Sequence, residues 1–402
     1  MTNWQSLLNP KIQEFVRAHA KDDVARLALK KPPNPDWPYA LILDQIKARQ
    51  KAAMKIPLWL DVRGVIFPPA SIMEQASSAA TAHYKAALVR GKVFADLTGG
   101  AGVDSAALAQ HFDEGHIIDA DENAAGLIAH NLALLSDMTA HVGHARAEEF
   151  IKDMPPADLA IIDPQRRDAN KKGRYRFEDC SPNVLALLPT LREKARHIMI
   201  KTSPMLDIDE GVSQLGGVSA VHTLEWRGDC KELVFIIGPD APENIPITAV
   251  SLDDKGNAAH RFTFTRAQEK QADIHYGAAQ RYLYEPGPAF MKAGGFGAMA
   301  QRFNLAKLHP NTHLYSSDAL ITDFPGRIFE ITDQVPAERK KLKAALGSNK
   351  ANISVRNFPM SAAELAKKMG IKDGGDCYIF ACAAMDEHNK ERKILLLSRK
   401  IS

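Results

Sequence analysis

Cysteine is scarce in this 402-residue chain, and the four present, Cys180, Cys230, Cys377 and Cys382, are scattered. Cys377 and Cys382 have four residues between them and no paired Cys/His set elsewhere, which argues against a structural zinc site. Sparse thiols fit a reduced, cytoplasmic setting. Long apolar runs are missing too. No stretch approaches membrane-spanning length, and Met1 to Pro10 lacks a charged segment followed by an apolar one, so neither a membrane span nor a secretory leader is expected. Charge of one sign is also lacking: the net charge is +3, so any binding of a polyanion must rely on local patches. The 14 histidines include no HExxH spacing, and no metal is expected. Neither an internal repeat nor a low-complexity tract is evident.

What is present is an ordinary globular composition, 45% apolar and 25% charged, over a length that calls for two to four domains. Ile12, Phe15, Val16, Val24 and Leu27 fall near helical spacing before Lys31-Pro32-Pro33 stops the helix. A second helix, about Tyr39 to Met54, ends in the basic tail Lys47, Arg49, Lys51 and Lys55. It reads as a helical cap with a solvated basic face, or as a lid over substrate. From Ser71 to Gly238 strand and helix signals alternate, which predicts a mostly parallel, doubly wound α/β sheet. Its elements are a helix over Ser71 to Leu88, strand 93–97, helix 103–111, strand His116 to Asp119, helix Asn123 to Leu135, strand Leu159 to Asp163, helix Asn183 to Glu193 and strand Ile198 to Lys201. A hairpin, His222 to Trp226 with Leu233 to Gly238, closes the sheet in the manner of the methyltransferase (Rossmann-like) variant. Beyond Pro239, Ile247 to Leu252 and Arg261 to Thr265 pair across Asp253–Asn257. Residues 281–320 suit a short βαβ segment, and 327–398 read β-α-β-α-β-β.

The chemistry gathers at three strand ends. Val93 to Leu97 is a buried-strand run ending on Asp96 and followed at once by Thr98-Gly99-Gly100-Ala101-Gly102, whose glycines let the backbone approach a ligand. An acid ahead of the glycines would oppose a pyrophosphate but suits an amino group, and Ser105 replaces the third glycine of a dinucleotide fingerprint. The turn therefore points to S-adenosylmethionine ahead of a nicotinamide or flavin dinucleotide. Asp119, with Ala120 beside it, ends the second strand and can accept ribose hydroxyls, while Asp121 caps the next helix. An adenine contact is expected near Ala147 and Glu148. Asp163-Pro164 ends the fourth strand, where a carboxylate can accept a hydrogen bond from a nucleophilic N–H or act as its base. Methyl transfer is an in-line displacement that rests on positioning. The basic run Arg166, Arg167, Lys171, Lys172, Arg174 and Arg176, interleaved with Tyr175 and Phe177, can hold phosphates and stack bases. Arg166 or Arg167 is expected to enter the pocket, the other pairing with Asp163 or Asp168. Cys180 as a nucleophile toward a pyrimidine ring is a minor alternative.

Several longer motifs join these: Glu74-Gln75-Ala76-Ser77-Ser78 with Thr81, Tyr84 and Lys85; Asp96 to Ser105; Asp163 to Asp168; Lys201-Thr202-Ser203-Pro204-Met205-Leu206-Asp207; Ala351 to Pro359; and Gly374-Gly375-Asp376. Together they resemble bacterial class I S-adenosylmethionine-dependent methyltransferases that carry a ferredoxin-like segment and a C-terminal THUMP-like domain. The resemblance covers most of the chain. It implies S-adenosylmethionine as cofactor and an RNA substrate. It also implies an N-terminal helical domain (1–70), a methyltransferase domain (71–275, with a hairpin extension over 245–266), a ferredoxin-like segment (276–324) and a THUMP-like domain (325–402). The C-terminal α+β modules and the helical cap would then present a structured RNA to the pocket. Gln165 and Arg166 stand where enzymes acting on exocyclic amines place a second proline and a stacking ring, which argues against that chemistry. Expected cofactor contacts are Gln75, Lys85, Asp96, Thr98, Gly100, Gly102, Asp119, Ala120, Ala147 and Asp163. Asp163, Arg166 and Arg167 are the expected catalytic residues. The alternatives are a cofactor-binding RNA-recognition protein without catalysis, or a methyltransferase of small molecules or proteins.

Overall fold

A computed structural model describes residues 4–166, 176–386, 388 and 390–401. The chain forms two compact units. The first runs through Arg227 and adds Lys231–Glu243 and Leu252–Ala258. The second comprises Gly228–Cys230, Asn244–Ser251 and the chain from Ala259 onward.

The first unit begins with α1 (Pro10–Ala18), α2 (Val24–Ala28) and α3 (Tyr39–Lys55). The helix read across 11–30 is thus two helices, because Asp23 accepts from the amides of Ala25 and Arg26 and starts a new one. Ile12, Val16, Leu27, Ile42 and Ile46 bury together with Ile66 and Leu127, so the cap is continuous with the core. Its basic tail is partly tied down. Arg49 donates to the Leu60 carbonyl, Lys51 pairs with Glu74, and Lys55 donates to the Ala76 carbonyl at 2.7 Å. Burial, then Lys201 and Lys231, pull the Lys55 ammonium down to about 8.

Two helices, α4 (Ala70–Gln75) and α5 (Ala79–Ala86), replace the single one expected over Ser71 to Leu88. The break falls at Ala76-Ser77-Ser78, where the Ser78 hydroxyl accepts from the Thr81 amide and caps α5. The α/β core follows as β1 (Val93–Asp96), α6 (Val103–Leu108), β2 (Glu114–Asp119), α7 (Glu122–Leu135), β3 (Thr139–His144), α8 (Ala147–Asp153) and β4 (Ala157–Ile162). A two-residue pair, β5 (Gln165–Arg166) and β6 (Cys180–Ser181), precedes α9 (Val184–Lys194), β7 (Ala195–Thr202), α10 (Ile208–Leu215), β8 (Val218–Trp226) and β9 (Asp229–Ile237). These lie in the order β8-β9-β7-β4-β1-β2-β3. Neighbours from β7 to β3 pair in parallel, and β9 runs antiparallel to β7. The direction of winding reverses between β1 and β4, so a crevice opens at their carboxyl ends. Register there is fixed from below. Asp158 Oδ2 accepts from the amides of Lys92 and Val93 at 2.7 and 3.1 Å, and those bonds hold its carboxyl below the usual range.

The second unit opens with the hairpin β10 (Ile247–Leu252) and β11 (Ala258–Phe264), most of which lies in this unit. Then come α11 (Arg266–Gln271), β12 (Tyr282–Pro286), α12 (Pro288–Ala293), α13 (Phe296–Phe303), β13 (Ala306–His309) and β14 (Thr312–Ser317). β14 runs antiparallel to β12, so 281–320 is not a parallel βαβ unit. The remainder is β15 (Gly326–Pro336), α14 (Arg339–Leu346), β16 (Asn352–Arg356), α15 (Ala362–Met369), β17 (Cys377–Met385) and β18 (Glu391–Lys400), the β-α-β-α-β-β order read from sequence. One seven-stranded sheet, β13-β14-β12-β15-β18-β17-β16, joins the two parts. Alternation along β17 and β18 gives it two buried faces. Ile379, Ala381, Leu395 and Leu397 pack with Leu342, Leu365 and Met369 of α14 and α15, while Phe380, Cys382, Ile394 and Leu396 pack with Leu283, Leu308 and Phe329. Glu285 is buried between Arg327 and Arg356, a charge fully compensated.

A Cβ on Gly91 would lie 2.3 Å from Asp158 Cβ, so the clasp under β1 requires a glycine. Gly91→Ala is expected to destabilise the first unit by about 1–3 kcal/mol, as overpacking does. A wild-type melting temperature in that variant would show that the clasp tolerates displacement.

Candidate functional site

The carboxyl ends of β1, β2, β4 and β7 surround a cleft of about 690 Å³, within the range of cofactor pockets. Three strand ends are stitched together around it. Asp96 Oδ1 accepts from the Thr98 amide at 3.0 Å and Oδ2 from the Ser105 hydroxyl at 2.5 Å. The Gly100 amide donates to Asp119 Oδ2 at 2.7 Å, and Asp119 Oδ1 accepts from the Asp121 amide at 2.8 Å. The Thr98 hydroxyl oxygen accepts from the Asp163 amide at 2.8 Å, tying β1 to β4. Asp96 is 3% exposed, and burial pushes its carboxyl up to about 7 against the hydrogen bonds from Ser105 and Thr98.

The two glycines of the turn do different work. Gly100 has φ +57°, and a Cβ there would meet only the Thr98 carbonyl at 3.7 Å, so it would project into the cleft. Gly102 has φ +73° as the N-terminal cap of α6, and its Cβ would meet Ile128 at 3.4 Å. A side chain at Gly102 therefore strains the backbone rather than filling the cleft.

Beneath the cleft lies a cluster that motif reading did not assemble. Lys85, 1% exposed, donates to Ser77 Oγ at 2.9 Å and to both oxygens of Glu232 at 3.0 and 2.8 Å, and pairs with Asp104 Oδ1 at 2.9 Å. Asp104 also accepts from Ser77 Oγ at 2.8 Å. Lys201, at the end of β7, pairs with Asp163 Oδ2 and stands 4.0 Å from both Asp104 and Glu232. Burial alone would lower the Lys201 ammonium, but Asp163, Asp104 and Glu232 outweigh it and hold it well above its ordinary value. Asp104 is held below the usual carboxylate range: burial opposes this, and Lys85 and Lys201 overcome it.

Of the residues named from sequence, Gln75, Asp96, Thr98, Gly100, Asp119, Ala120, Ala147, Asp163 and Arg166 line the cleft, and Glu148 does as well. Lys85 and Gly102 do not. Lys85 is the anchor of the floor, and Gly102 shapes the turn. Arg167, with Lys171, Lys172, Arg174 and Tyr175, lies outside the described residues. Arg166 pairs in register with Cys180, and its Nε and Nη2 are buried with no hydrogen-bond partner among the described residues. Cys180 is itself buried and is not part of the lining, although Ser181 and Pro182 are. Lys201 and Asp104 also line the cleft and were assigned no role. The rule that sites form at the carboxyl ends of parallel strands would have singled out Lys201. Nothing local in the sequence marks Glu232. Among the described residues the lining carries six carboxylates, Asp96, Asp104, Asp119, Asp121, Glu148 and Asp163, against three cations, Arg146, Arg166 and Lys201.

Residues 282–325 match a ferredoxin-like domain family and residues 326–400 a THUMP domain-like family. Among solved structures, a protein of Porphyromonas gingivalis W83 named as a methyltransferase is 30% identical over 100% of both chains, with a TM-score of 0.87. An rRNA methylase of Streptococcus thermophilus is 16% identical over 39% of this chain and 92% of its own, with a TM-score of 0.30. A tRNA m1G37 methyltransferase of M. jannaschii is 13% identical over 40% of this chain and 49% of its own, with a TM-score of 0.29. Among curated proteins none matches. No helix among the described residues is long and apolar enough to cross a membrane.

Asp96 gives the site a pH signature. Its folded value of about 7 lies above the ordinary 3.8, so between those limits the folded protein holds a proton that the unfolded chain has released. The stabilising contribution is full below 3.8 and is lost as pH rises to about 7. Asp96→Asn, which resembles the protonated group, should remove that fall from a melting-temperature profile over this range. An identical profile in the variant would show that Asp96 does not titrate there.

Proposed function

The chain belongs to the family of class I S-adenosylmethionine-dependent methyltransferases with a ferredoxin-like segment and a C-terminal THUMP-like domain, and on that premise we propose that it methylates RNA. The observation that carries the substrate reading is Arg166, whose Nε and Nη2 are buried with no hydrogen-bond partner among the described residues, in the cleft that Asp163 also lines. Nε and one Nη form an edge of the guanidinium that suits a phosphate or the acceptor edge of a base. A THUMP-like domain in the same chain agrees with an RNA substrate.

The residues fit the cofactor. Each Asp119 oxygen accepts one backbone amide and keeps a lone pair for a ribose hydroxyl. The space that a side chain on Gly100 would fill is left open to the methionine part, with Asp96 beside it for the amino group. Ala120, Ala147 and Glu148 line the adenine end, and Gln75 approaches from α4. When bound, S-adenosylmethionine supplies an electrophilic methyl group. The chain's part is to position the acceptor. Lys201 fixes the Asp163 carboxylate at the end of β4, where it accepts a hydrogen bond from the group to be methylated. Lys85 and Asp104 act through Lys201, holding it in place. Arg166 orients the substrate.

Comparison of modified nucleosides by mass spectrometry in RNA from a deletion strain and its parent tests the reading. One methylated nucleoside should disappear, and unchanged RNA would overturn the RNA assignment. Asp119→Ala should weaken S-adenosylmethionine binding by roughly 1.5–3 kcal/mol, the range for hydrogen bonds to charged groups. Unchanged affinity by calorimetry would remove Asp119 from the cofactor site. Arg166→Lys keeps the charge and loses the fork, so RNA affinity should fall with melting temperature and cofactor affinity preserved. A lowered melting temperature with normal RNA binding would instead make Arg166 structural.

A further inference from the structure

Away from the cleft, three side chains converge on one face of the β2–β3 pair. Glu114 and His116 are two residues apart on β2 and so share a face, and the register sets His141 of β3 directly beside His116. The imidazole rings stack, with centroids 4.7 Å apart and planes 17° from parallel. Both Nε2 atoms turn to the same carboxylate oxygen, Glu114 Oε1, at 2.8 Å for His116 and 3.2 Å for His141. The three potential ligand atoms all lie within 4.8 Å of one another.

We propose that Glu114, His116 and His141 form a binding site for a divalent metal ion of the zinc class. Zinc bonds of about 2.0–2.2 Å place tetrahedral ligand atoms roughly 3.3–3.5 Å apart. The two carboxylate–imidazole spacings, 2.8 and 3.2 Å, lie just under that, and an ion can replace the shared hydrogen bonds once the stacked rings turn so that both in-plane lone pairs converge on it. Two imidazoles and a carboxylate are a donor set suited to zinc and its first-row neighbours rather than to magnesium or calcium, which favour all-oxygen sites. The ligands rise from strands held in a paired register, which presets their spacing. The His141 side chain is 54% exposed and that of Glu114 39%, so an ion can enter and keep a water at its fourth position. β3 is the outermost strand of the parallel run, and the ion would clip it to β2. Three residues further along β2 lies Asp119, so the clip would brace the strand that carries the proposed ribose contact.

The probe is zinc chloride itself, titrated into untagged full-length protein by calorimetry, with cobalt(II) absorption as a report on tetrahedral nitrogen and oxygen ligands. One equivalent should bind and raise the melting temperature. His141→Ala, at a half-exposed position whose loss leaves the fold intact, should weaken binding by at least about tenfold and abolish the thermal response. His116→Ala should do the same. Absence of one-equivalent binding to the wild type would overturn the site, as would unchanged affinity and thermal response in both variants. The outcome is independent of methyl transfer.

Discussion

Two ammonium groups and three carboxylates share the floor of the cleft, and their mutual compensation is the constraint on which the site depends. Lys85 comes from α5, Asp104 from α6, Lys201 from β7 and Glu232 from β9, while Asp163 follows β4. Burying any one of these charges alone would cost several kcal/mol, so five segments must arrive together or not at all. The requirement fixes the helix break at Ser77-Ser78 as well, since Ser77 supplies a hydroxyl that binds both Lys85 and Asp104. The cleft's shape thus follows from its electrostatics as much as from its backbone.

Much of the fold was legible because the determinants are local. The run Val93 to Asp96, the glycine turn and the acid ending β2 each carry their meaning within a few residues, and the structure brings them to one cleft. The β-α-β-α-β-β order of the last module was equally readable, since caps such as Ser361 with Glu364 announce the helices. The failures at the site have one cause. Where a residue's role depends on a partner far along the chain, sequence spacing is silent. Lys85 was expected among the cofactor contacts, yet it is buried against Glu232, 147 positions away. Gly102 looked like a second cofactor glycine because the chain does not reveal that Ile128 stands behind it. The helices read across 11–30 and 71–88 were each interrupted by a cap at Asp23 or Ser78, residues that periodicity counts only as polar.

The histidines make the same point from the other side. A search for metal spacing along one strand or helix finds nothing, because His116 and His141 become neighbours only through the β2–β3 register. Strand pairing can build a ligand set from residues 25 positions apart as readily as a helix builds one from residues four apart.

The surplus of acid in the lining bears on turnover. Among the described residues, six carboxylates, of which Asp96 holds its proton up to about 7, line the cleft with three cations, an acidic excess that would favour a positively charged occupant. In the proposed site a sulfonium would lose its charge on giving up a methyl group, so the spent cofactor would be a neutral thioether among acids that suit a cation. The attraction that helps to load such a site would then be relinquished by the reaction itself, with no change in the protein's shape required.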